Sequence, residues 1–173
     1  MTTSTRSTIR GGPVPRITPV LWFDGEAETA AAFYTSLFAD SSVTNVSRYP
    51  DDLPDPNLAG RALVVEFELD GQPFQALNGG PGFTPNEAVS LSVPVGGQDE
   101  LDRYWDALLA DGGQEGRCGW VRDRWGFWWQ IVPGVMQSTI GGSDPAGAAR
   151  AMTAMMGMTR LIVADLERAY AGD

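Results

Sequence analysis

Hydrophobic and polar residues alternate along two stretches of the chain, Ala62 to Leu69 and Ala88 to Val95, and apolar residues fall at helical spacing in two others. Ile17 to Phe23 reads as a strand that Gly25 ends. Ala30, Phe33, Tyr34 and Leu37 then fall at helical spacing, which predicts a helix from Glu26 to Phe38. Val43 to Tyr49 predicts a short strand, and Pro50 to Gly60, with three prolines and three aspartates, a loop. From Ala62 to Leu69, Leu63, Val65, Phe67 and Leu69 share one strand face and Val64, Glu66 and Glu68 the other. Asp70-Gly71 signals a hairpin into a strand from Gln72 to Asn78.

The same order then recurs. Ala88 to Val95 alternates, with Val89, Leu91, Val93 and Val95 opposite Ser90 and Ser92. Leu101, Tyr104, Trp105 and Leu108 mark a helix over Gln98 to Asp111, stopped by Gly112-Gly113. Gln114 to Cys118, Trp120 to Arg124 and Phe127 to Val132 predict three short strands. The fold class is therefore α+β: paired βαβββ modules, about 16–79 and 86–134, forming a curled mixed sheet. A helical extension occupies 135–173. In it Val135 to Ile140 is a short helix, and Asp144-Pro145 opens a longer one as cap and first-turn proline. The last helix runs from Val163 to Ala171. Residues 1–15, rich in Thr, Ser, Arg, Gly and Pro, are expected to be a flexible tail without the apolar stretch of a secretory signal.

Composition narrows the partners. Of 173 residues, 43% are hydrophobic and 20% charged, a globular balance. A net charge of −10 disfavours nucleic acid and anionic membrane as partners. The expected location is cytoplasmic, since no apolar run reaches the length of a membrane span. The chain has no histidine and a single cysteine, Cys118. Histidine-based triads, cysteine-zinc sites and an intramolecular disulfide are thereby excluded. Arg117 and Arg122 could activate Cys118, but a small apolar strand residue is the simpler reading. Gly79-Gly80-Pro81-Gly82 precedes a loop, not a helix, and suits a close-approach turn better than a phosphate loop. Met152, Met155 and Met156 form a stripe suited to core or a subunit contact.

The candidate site lies on the strand faces opposite the apolar ones. Gln75, Ser90 and Gln130 would orient a small organic ligand by hydrogen bonds, and Trp22 and Trp128 would supply apolar or stacking surface. If the two sheets curl together, these groups converge on one cup. Glu66, Glu68 and Glu87 are the alternative, as carboxylate ligands for a divalent metal.

The chain also resembles a known family. The residues that carry the resemblance are Ile17-Thr18-Pro19, Leu21-Trp22-Phe23, Phe33-Tyr34, Leu77-Asn78-Gly79-Gly80-Pro81, Asn86-Glu87-Ala88-Val89-Ser90, Tyr104-Trp105, Cys118-Gly119-Trp120, Asp123, Gly126 and Trp129-Gln130-Ile131-Val132-Pro133. Together they are similar to the PhnB-like, or 3-demethylubiquinone-9 3-methyltransferase domain, family of the vicinal oxygen chelate superfamily. That superfamily includes glyoxalase I, extradiol dioxygenases and bleomycin-resistance proteins. The resemblance spans Arg16 to Tyr170 and implies paired βαβββ modules and a homodimer. It also implies metal-ligand positions near Thr18, on Gln75, near Ala88 to Ser90 and on Gln130, none of which holds His or a carboxylate. No cofactor is therefore expected. Three functions follow in order: metal-free binding of a small organic molecule; a metal-dependent lyase, isomerase or dioxygenase; and methyl transfer, as the family label suggests.

Overall fold

The computed structural model describes residues 17–52 and 54–173, so the expected tail lies outside the described residues. The chain divides after Phe83 into two compact units. The first contains β1 (Val20–Phe23), α1 (Ala27–Leu37), β2 (Ser42–Arg48), β3 (Ala62–Leu69) and β4 (Gln72–Asn78). The second contains β5 (Ser90–Val95), α2 (Gln98–Leu109), β6 (Gln114–Glu115), β7 (Trp120–Arg122) and β8 (Trp128–Pro133), then α3 (Val135–Ser138), α4 (Pro145–Met156) and α5 (Val163–Ala171).

Two four-stranded sheets form, ordered β1-β4-β3-β2 and β5-β8-β7-β6. In each, the first strand runs parallel to the last and the remaining pairs are antiparallel. The βαβββ order thus occurs twice, in two separate mixed sheets. A parallel pair cannot be closed by a hairpin, so the chain must cross over, and the helix makes the crossing. That helix covers one face of its own sheet.

On the covered face of the first sheet, Val65, Phe67, Phe74 and Ala76 are buried. Ala27, Ala30 and Ala31 let α1 lie close, and Tyr34 stacks on Phe67, which stacks on Phe74 at 5.5 Å. In the second unit Leu101, Tyr104, Trp105 and Leu108 of α2 are buried, the stripe read from the sequence, as are Val121, Trp129 and Ile131 of the sheet.

Several details depart from the expectations. Ile17–Pro19 precede β1 instead of extending it, and Ile17 is exposed. Val89, expected on the apolar face, lies in the turn before β5 and is exposed. Cys118 is not in a strand. It sits in a turn at φ +58°, followed by Gly119 at φ +82°. There the Cys118 and Gly119 amides donate to the Met158 and Thr159 carbonyls at 2.9 and 2.8 Å. A Cβ at Gly119 would also meet the buried Leu161 at 2.9 Å, so the position needs glycine twice over.

The C-terminal helices are anchored on the second unit. Asp144 caps α4 by accepting from the Ala146 and Gly147 amides, as its sequence position predicts. Ile162, before α5, has no side chain to cap with; Gln98 does it from α2. Its Oε1 accepts from the Val163 amide at 2.8 Å, while its Nε2 donates to the Leu161 carbonyl at 3.2 Å. Arg160 pairs with Asp102 and Asp106 of the same helix. Met152 and Met156 are exposed. No helix among the described residues is long and apolar enough to cross a membrane.

Replacing Gln98 with Ala removes both hydrogen bonds at the start of α5. The expected cost is about 1 kcal/mol, read as a lower denaturant midpoint together with faster amide exchange at Val163. An unchanged midpoint and unchanged exchange would show that packing alone holds α5.

Candidate functional site

The pleat sends alternate side chains to opposite faces, so each sheet keeps one face that its crossover helix does not cover. In the second unit Ser90, Trp120, Arg122, Trp128 and Gln130 occupy this open face and are all partly exposed. The Gln130 Nε2 donates to the Ser90 Oγ at 2.7 Å, across the parallel β5–β8 pair. Trp120 is the ladder partner of Gln130, and its ring meets Trp128 edge-on at 6.3 Å between centroids. An amide–hydroxyl pair flanked by two indoles can hydrogen-bond a ligand's polar edge while covering its apolar body. Three of the residues expected from the sequence, Ser90, Trp128 and Gln130, are therefore neighbours.

In the first unit the open face carries Trp22, Glu66, Glu68 and Gln75. Gln75 is the ladder partner of Glu66, and its Nε2 donates to the Glu66 Oε1 at 3.3 Å. Glu68 stands two residues further along the same face, opposite Pro73. Trp22 is held by the glycine loop: its Nε1 donates to the Gly80 carbonyl at 2.8 Å, and Phe83 packs edge-on at 4.9 Å. A Cβ at Gly79 would lie 2.1 Å from the Trp22 ring, so any other residue there would displace the indole. Gly79-Gly80 is thus a close-approach turn whose carbonyl is committed to the tryptophan.

Asn78, the last residue of β4, is buried and structural. Its Oδ1 accepts from the Ala27 amide at 3.0 Å and its Nδ2 donates to the Ala62 carbonyl at 2.9 Å. It supplies the cap that Glu26 does not give α1. A recess of about 180 Å³ opens beside it, bordered by Tyr49, Arg61 and Gly79. This recess includes none of the residues expected from the sequence. It is also smaller than the few hundred Å³ usual for small-molecule sites, so the open faces are the stronger candidates. Asp123 is buried as well: it accepts from the Trp125 and Phe127 amides and from the Trp129 Nε1, fixing the turn between β7 and β8.

The neutral amides at the expected positions, Gln75 and Gln130, are poor donors for a transition metal. Glu87 is exposed in the turn before β5. No group of three or more His, Cys, Asp or Glu among the described residues is arranged to hold an ion. Trp120 and Arg122 were not among the expected site residues. Their alternation with the buried Val121 was the available signal, but the segment is only three residues long.

Comparisons with known proteins agree with this fold. The family described as 3-demethylubiquinone-9 3-methyltransferase matches residues 15–132. A PhnB protein from Bacillus cereus, to which that methyltransferase description is provisionally attached, is 31% identical. The match covers 69% of this chain and 99% of that one, with a TM-score of 0.62. The protein PA1353 from Pseudomonas aeruginosa is 20% identical over 69% of this chain and 97% of its own, with a TM-score of 0.57, a likeness of fold. No curated protein sequence matches. The chain belongs to the PhnB-like, 3-demethylubiquinone-9 3-methyltransferase family.

Proposed function

We propose that the chain binds a small organic molecule on the open face of its second module and does so without a tightly bound metal. The observation that carries this reading is the Ser90–Gln130 hydrogen bond beside two partly exposed indoles, Trp128 next to Ser90 and Trp120 next to Gln130. A core pair would be sealed by packing, whereas this one lies on the face its helix leaves uncovered. The amide and hydroxyl retain further hydrogen-bonding capacity toward a ligand. The methyl transfer in the family's description has no counterpart among these side chains, and binding is the reading they support.

Metabolite binding would quench or shift tryptophan fluorescence, because Trp120 and Trp128 border the pair. Gln130→Ala is expected to weaken such a ligand by about tenfold, the worth of one hydrogen bond in a half-buried site. Gln75→Ala, measured alongside, tells whether the first module's face serves the same ligand. Unchanged affinity in Gln130→Ala would remove this site.

Elemental analysis of protein purified without chelator checks the metal statement. Less than about a tenth of an equivalent is expected, since tight sites retain their ion through purification. A stoichiometric transition metal would contradict it.

A further inference from the structure

We propose that Arg122 makes this open face a receptor for a small monoanionic carboxylate with a flat apolar body. The inference rests on the reading that the Ser90–Gln130 face binds ligand, and it assigns that ligand's charge.

Arg122 is partly buried, and its Nε is shielded from water without a hydrogen-bond partner. Among the described residues its guanidinium makes no ion pair, although the chain carries ten more negative than positive charges. Nearby acids are engaged elsewhere. Asp123 points to the opposite face and holds the Trp129 indole, and Asp111 pairs with Arg124. Glu115 is the ladder partner of the buried Val121, which puts it on the covered side. Arg122's own ladder partners are Gln114 and Trp128, both neutral. Arg61 and Arg117 likewise show no carboxylate, but they are exposed and hydrate freely.

The shielded Nε has nothing to donate to, while the two Nη nitrogens are not shielded and can meet an acceptor from the open face. The planar fork suits a carboxylate, which can take two parallel hydrogen bonds. Gln114, Trp120, Trp128 and Gln130 bring no second positive charge, so a monoanion fits better than a dianionic phosphate. Trp128, the ladder partner of Arg122 and edge-on neighbour of Trp120, provides surface for a flat apolar body attached to the carboxylate.

The test compares cinnamate with cinnamamide, which keeps the shape and removes the charge. Binding is followed by nuclear magnetic resonance at the Arg122 Nε–H and the Trp128 indole N–H at millimolar ligand. Cinnamate should move both signals and bind about tenfold more tightly than the amide. Arg122→Gln should abolish that preference, and Arg122→Lys should restore part of it. Equal binding of acid and amide to the wild-type protein, with both weakened by Gln130→Ala, would overturn the charge assignment and leave the ligand face intact. No movement of either signal by either probe would overturn both. The acid–amide comparison needs no variant, so a variant that fails to fold does not remove the test.

Discussion

The parallel pairing of first and last strands governs each module. Val20–Phe23 lie beside Gln75–Asn78, and Ser90–Val95 beside Trp128–Pro133. Because parallel neighbours need a crossover, a helix must cover one side of each sheet. The distribution of side chains follows from that asymmetry. The covered side collects Val65, Phe67, Trp129 and Ile131, whose burial supplies the main driving force for folding. The other side has no partner within its own module and can carry amides, hydroxyls, indoles and an arginine without a burial penalty as large as the core would impose.

Two helix starts, those of α1 and α5, are stabilised from a distance. Glu26 and Ile162 supply no side-chain cap to α1 and α5, and Asn78 and Gln98 accept from the first amides instead. Asp123 plays a similar part for a turn, gathering two amides and the Trp129 indole. The Asn78 and Gln98 hydrogen bonds join elements that local propensity alone would leave independent. Gln98 in particular ties the C-terminal extension to α2, and the Met158 and Thr159 carbonyls tie it to the turn at Cys118.

The elements that sequence reasoning captured well are those whose periodicity is long. Ala62–Leu69 alternates over eight residues, and α2 repeats its apolar stripe over about two turns. Where the signal is short or the determinant is remote, it fails. Val89 continues an apolar alternation but precedes the strand, and Cys118 adopts a left-handed turn because the extension's carbonyls draw its amide. The site was legible in part. Ser90, Trp128 and Gln130 do come together, since period-two alternation places them. Trp22 lies on an open face, yet its indole N–H is already committed to Gly80. Arg122 escaped because its strand spans three residues, and its lack of a partner is a property of folded neighbours only.

Adjacent residues of β8 thus face different ways: Ile131 into the core, Gln130 onto the open face. Chemical denaturation of Ile131→Ala and Gln130→Ala, each compared with the unmodified chain, tests this directly. Ile131 is fully buried, so its truncation should cost about 2–5 kcal/mol. Gln130 is partly exposed, so its truncation should cost less than about 1 kcal/mol. Comparable destabilisation by both would place Gln130 in the core and contradict the division of labour between the two faces.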